Sequence, residues 1–130
     1  MATQIVILNQ DSILIDDSFR IPWADKGANW VDSWCPNTIH CVLWNNLPGQ
    51  NEIQTKDPAT GMMTGNTNLT ATSNSVGSTT ISDLLTWAET RKGQIEAAKT
   101  AYETAVADDA ANGTTNASGK TWIDYDSNYS

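Results

Sequence analysis

Residues 80–112 read TISDLLTWAETRKGQIEAAKTAYETAVADDAAN, and this stretch decides the fold class. Ile81, Ala88, Ile95 and Tyr102 recur at intervals of seven, and Leu84, Leu85, Ala98 and Val106 widen the same stripe, which is the spacing of an amphipathic helix. Ser78, Thr79 or Thr80 supplies an N-cap oxygen, Asp83 suits the positive end of the helix dipole, and Asn112-Gly113 is a C-terminal stop. Glu89, Glu96, Lys99 and Glu103 lie on the more polar side, with Glu96 and Lys99 spaced as an i,i+3 pair. Gly93 is the weak point: it costs ~1 kcal/mol relative to alanine and is a place for a kink.

A helix over 80–112 is roughly 45–50 Å long. That exceeds what the preceding 56 residues can cover, so its stripe must be buried against copies of itself, another protein or more of its own chain. Arg91, together with Ala98 and Ala105, weakens a coiled-coil seam. The expectation is association with other subunits, with folding back onto the N-terminal module as the alternative.

Towards the N-terminus the chain changes character. Residues 58–82 carry no charged side chain and consist mostly of Gly, Ser, Thr and Asn, whose hydroxyls and amides gain little from burial and compete for backbone hydrogen bonds. Residues 57–79 therefore read as a linker or a strap that orders on assembly. Residues 1–56 read as a Trp-rich β module. Gln4–Leu8, Ser12–Asp16 and Phe19–Ile21 form a meander that Pro22 ends, and Thr38–Trp44 is the best strand, with Asn51–Thr55 as its return. Alternation puts Ile39, Cys41 and Leu43 on one face of that strand and His40, Val42 and Trp44 on the other. Residues 113–130 read as an extended tail whose Trp122, Ile123, Tyr125 and Tyr129 either dock on a neighbour or fray. The fold class is α+β: a small antiparallel meander or sandwich-like module, a polar linker, one long amphipathic helix and a tail.

Composition narrows the partners. The 130 residues are 39% apolar and carry a net charge of −8, which repels phosphate backbones and anionic membranes. Nucleic acid and membrane are not expected partners. The N-terminal residues Met1–Leu8 lack the basic region and apolar length of a signal peptide, so the chain is expected in a cytosol or in a particle assembled there. Cys35 and Cys41 give no disulfide framework.

The ingredients of catalysis are thin. His40, the only histidine, adjoins Cys41 on a strand, so the two side chains point to opposite faces and form no nucleophile–base pair. Cys35, His40 and Cys41 lack a fourth zinc ligand and the usual paired spacing. Asp124, Asp126 and Asn128 match the first ligand positions of a calcium loop, but Tyr129 stands where that loop requires glycine. Asp16, Asp17 and Asp25 read as solvated turn carboxylates. No catalytic residue, metal or cofactor is expected.

Four of the six tryptophans lie between Trp23 and Trp44, and each can bury roughly 200 Å². They either cap a small core or lie at an interface with another subunit, where Trp is enriched. A sugar-binding platform is one form of the second reading. The residues expected to make contacts are Trp23, Trp30 and Trp34 in the loop, Ile81, Leu84, Ile95 and Tyr102 on the helix, and Trp122 and Tyr125 in the tail.

Ile13-Leu14-Ile15-Asp16, Thr38-Ile39-His40-Cys41-Val42-Leu43-Trp44-Asn45 and Gly49-Gln50-Asn51-Glu52-Ile53 together resemble small proteins and N-terminal domains of tailed bacteriophages. In these a His-x-Val-x-Trp-Asp/Asn strand is followed by Gly and Glu in the return strand. The resemblance covers about residues 5–55. It implies a noncatalytic virion protein of the tail, baseplate or fibre-attachment region, present in several copies and contacting itself and other virion proteins after assembly in the host cytoplasm. A tail-fibre assembly chaperone and a head-surface decoration or glycan-binding module are the alternatives.

Overall fold

Residues 4–27, 37–45, 51–77 and 79–129 are described by the computed structural model. The chain is α+β. The strands are β1 (Ile5–Leu8), β2 (Ser12–Ile15), β3 (Phe19–Pro22), β4 (Ile39–Trp44), β5 (Glu52–Lys56) and β6 (Met63–Asn68). They form one antiparallel sheet in the order β3-β2-β1-β4-β5-β6. A short hairpin, β7 (Ser75–Val76) and β8 (Thr79–Thr80), leads into the single long helix α1 (Ile81–Asn112).

Register explains the core. Ile21, Ile13, Ile7 and Val42 lie opposite one another on four successive strands, and all four are fully buried. Phe19, Ile15, Ile5 and Trp44 form a second row on the same face. β-branched side chains suit such a pleated surface, and cross-strand pairs are where sheet stability resides. Helix residues Ile81, Leu84, Leu85, Ala88 and Ile95 complete the same cluster. On the other face Val6, Leu14 and Leu43 remain half-buried.

The turns suit their strands. Asp16 and Asp17 both have positive φ, as the tight β2–β3 connection requires, and the Asp16 carboxylate accepts the Gln4 amide at 3.0 Å. In β4 the expected alternation breaks. His40 occupies a bulge between Ile39 and Cys41, so Ile39, Val42 and Trp44 all reach the core cluster while His40 is exposed. The bulge, invisible in a period-two reading, is what brings Ile39 to the face that Val42 and Trp44 share, where Ile7 and Ile5 of β1 lie opposite them.

The stretch read as a linker is ordered differently from that expectation. Its middle forms β6, paired along β5, and the Asp57–Met62 turn closes with Asp57 N donating to Met62 O at 2.8 Å. Farther on, the Asn74 carboxamide oxygen accepts the amides of Thr70 and Ala71, side-chain bonds that close the turn. Leu69 and Val76, the two buried apolar residues of the stretch, insert into the main core.

α1 is capped as its sequence implies: the Thr80 hydroxyl accepts the Asp83 amide at 3.1 Å, and Gly113 ends it with φ +66°. The helix runs unbroken through Gly93, where the sequence allowed a kink. A Cβ added at Gly93 meets nothing within 4 Å. Gly93→Ala should therefore stabilise the protein by about 0.5–1 kcal/mol, read as a higher urea midpoint with unchanged slope. A lower midpoint would show that the glycine answers a conformational need.

Candidate interaction surfaces

The tail turns back on its own helix. After Gly113 the chain reverses around Asp109, whose carboxylate accepts the Thr114 hydroxyl at 2.6 Å and the amides of Asn116 and Ala117 at 2.9 and 2.7 Å. These bonds, the Thr114 hydroxyl first and the amides next, hold the Asp109 carboxyl below its ordinary range. The chain then packs a 3-10 turn, Trp122–Tyr125, back on α1. Thr121 and Asp124 close that turn as a capping box.

One side chain fastens the return. Arg91 is buried, and its guanidinium makes five hydrogen bonds. Nη2 and Nη1 donate to the two carboxylate oxygens of Asp126 at 2.6 and 3.1 Å, a bidentate pair with both side chains about 98% covered, since their exposures are 2% and 1%. Nε and Nη2 donate to the Asp25 carbonyl at 3.1 and 3.0 Å, and Nη1 also donates to Gln94 Oε1 at 3.3 Å. The planar ion therefore joins three parts of the chain: the loop after β3, the middle of α1 and the tail. Gly27 makes room for it. A Cβ there would lie 2.7 Å from Arg91 Nε and 2.8 Å from the Asn128 carbonyl, and its φ of +85° independently favours glycine. Burial alone would push the Asp126 carboxyl up, but hydrogen bonds from Arg91 and the Asn128 amide, with the charge of Arg91, hold it below the ordinary range.

The expected contact residues separate into three groups. Ile81, Leu84 and Ile95 are 0%, 1% and 3% exposed and belong to the cluster formed with the sheet, so within this chain they are core residues. Trp23, Tyr102, Trp122 and Tyr125 are half-buried and find partners within the chain. Trp23 and Trp122 pack against the core cluster, and the Tyr102 and Tyr125 rings lie 6.0 Å apart at 56°. Lys26 stands over Trp23 at 5.3 Å, and Lys99 over Trp122 at 5.4 Å, contacts that leave each ring only partly accessible. Trp30 and Trp34 lie outside the described residues, as does Cys35. Cys41 is a buried free thiol, and its burial, assisted by the charge of Glu52, pushes its pKa up and lowers its reactivity.

Among the described residues two surfaces stand outside the core. From Lys99 to Asn112 no residue of α1 is buried, and Val106 is 45% exposed. At the sheet margin all six residues of β6 are exposed, and Gln54, Met63, Gly65 and Asn66 line a shallow pocket of about 280 Å³. Arg91 and Asp126 were not among the expected contact residues. The signal for them was an arginine on the apolar stripe and an acidic tail, which sequence spacing alone does not connect.

Removing either partner strands a buried charge, so Arg91→Ala or Asp126→Ala should each cost about 3–5 kcal/mol in chemical denaturation. The pair also predicts acid sensitivity. Because the native Asp126 carboxyl titrates below its unfolded value of about 3.9, its contribution is complete above that pH and is lost as pH falls through the native value. The stability difference between wild type and Asp126→Asn should accordingly shrink on acidification below about pH 4, as read from urea titrations at several pH values. No protein-family model, curated protein or solved structure matches this chain.

Proposed function

We propose that the chain is a noncatalytic structural and interaction protein of a tailed-phage particle, a tail, baseplate or fibre-attachment component assembling in multiple copies in the host cytoplasm. One observation carries the reading: among the described residues a firmly closed core leaves two long elements, β6 and the C-terminal half of α1, outside it. An exposed strand edge and a helical arm reaching about 20 Å past the last buried residue are poor investments for a solitary protein and useful ones for a subunit. The phage-like segment over about residues 5–55 supports the same reading. Its Val42 and Trp44 are core residues, so the likeness concerns the scaffold on which these elements are mounted.

The partners that fit are copies of the chain and other virion proteins. A net charge of −8 disfavours nucleic acid, and no helix among the described residues is long and apolar enough to cross a membrane. Among the described residues no three His, Cys, Asp or Glu side chains gather in a way that could hold a metal ion. Asp124 and Asp126 are instead committed to the capping box and to Arg91.

Mass spectrometry of purified phage particles whose genome encodes this chain tests the proposal. The chain should be present at a fixed multiple of a known tail protein. Presence in the infected lysate but absence from particles would overturn it in favour of an assembly chaperone.

A further inference from the structure

We infer that β6 is a self-association edge, pairing antiparallel with β6 of a second copy to continue the sheet across a two-fold axis. The inference rests on the multi-copy reading above and assigns it a surface.

β6 lies at the end of the sheet order, and all six of its residues are exposed. Exposed edges are ordinarily guarded by charge, proline or brevity. Met63-Thr64-Gly65-Asn66-Thr67-Asn68 has no charge and no proline, and at six residues it equals β4, the longest of the other strands. Its one irregularity is a register shift near Thr55 and Lys56 at its start. The backbone pattern shows which groups are on offer. Leu69 N donates to Asn51 O at 2.8 Å, so the alternation along an antiparallel pair turns Thr67 and Gly65 towards β5 and leaves the amides and carbonyls of Asn66 and Asn68 pointing outward.

Charge selects the occupant. Two molecules of net charge −8 repel, but the stretch from residue 58 to residue 82 is uncharged, so β6 itself presents no like charge to an approaching copy. Glu52, the nearest acid across the ladder, is already engaged by Asn66 Nδ2 at 2.7 Å and Gln54 Nε2 at 2.9 Å. Threonine and asparagine side chains on facing strands can bond to each other, and Met62 and Met63, 70% and 51% exposed, supply apolar cover at one end. A two-fold axis makes such an edge complementary to itself.

The test is amide hydrogen exchange with sedimentation equilibrium on the full chain. In wild type, exchange at Asn66 and Asn68 should slow at least tenfold as concentration rises from the micromolar to the millimolar range, while exchange at Thr67 changes little, and a dimer should appear in parallel. Asn68→Pro removes an outward-facing N–H without touching a bond to β5, so it should stay monomeric with the wild-type circular dichroism spectrum. Wild type that is monomeric throughout, or whose Asn66 and Asn68 exchange is independent of concentration, overturns the inference. Wild type and Asn68→Pro that dimerise equally would also overturn it, yet leave the multi-copy reading standing on another surface. The multi-copy reading fails separately, on absence from particles.

Discussion

The five-bonded guanidinium of Arg91 is the constraint around which the rest of the molecule is arranged. A buried cation is tolerable only when its donors are met and a counter-charge adjoins it, and here three sequence-distant segments are required to meet them. The Asp25 carbonyl brings the loop after β3, Gln94 holds the helix side, and Asp126 brings the tail. Satisfying one ion therefore fixes the position of α1 on the sheet and the path of the chain after α1. Around it the apolar cluster of sheet and helix supplies the driving force, but apolar burial is non-directional and does not by itself choose where a tail should lie. The ion pair does.

This arrangement revises the argument that the helix outgrows its chain. Up to Ala98 the stripe is covered internally, first by the sheet and then by the returning 3-10 turn. Tyr102 is half-covered by Tyr125, and only beyond it does the helix become an arm whose exposed residues are mainly alanine, acidic side chains and Val106. The described residues thus divide into a closed core and two elements outside it, the edge strand β6 and the end of α1. Assembly, on the proposed function, would use surfaces that fold formation leaves idle, so joining the particle would require no opening of the core.

Much of the fold was legible because its signals are local. β1, β2, β3 and β5 announce themselves by alternation between turn residues, and α1 by its seven-residue recurrence with a Thr80 cap and a Gly113 stop. The face of β4 was not legible, because one bulged residue, His40, reverses the alternation on one side of it. β6 was not legible either: Gly65, Asn66 and Asn68 disfavour a strand and offset the β-branched Thr64 and Thr67, and the strand exists because β5 offers a ladder and Glu52 a side-chain bond. The contact between Arg91 and Asp126 spans 35 residues, so no window along the chain reveals it. Counted on the stripe alone, Arg91 is a defect in a coiled-coil seam. In three dimensions it is the fastening of the tail, and Gly27, unremarkable in sequence, is the space it needs.

Arginine side-chain exchange by NMR addresses the central claim most directly, because the chain carries its own control. Arg20 and Arg91 are the two arginines, the first exposed and the second buried. At neutral pH the Nε–H of Arg91 should give a sharp, slowly exchanging resonance with cross-relaxation to protons of Asp25 and Asp126, while that of Arg20 exchanges with water as a free side chain does. An Arg91 Nε–H that exchanges as fast as that of Arg20, with no cross-relaxation to the tail, would contradict the account.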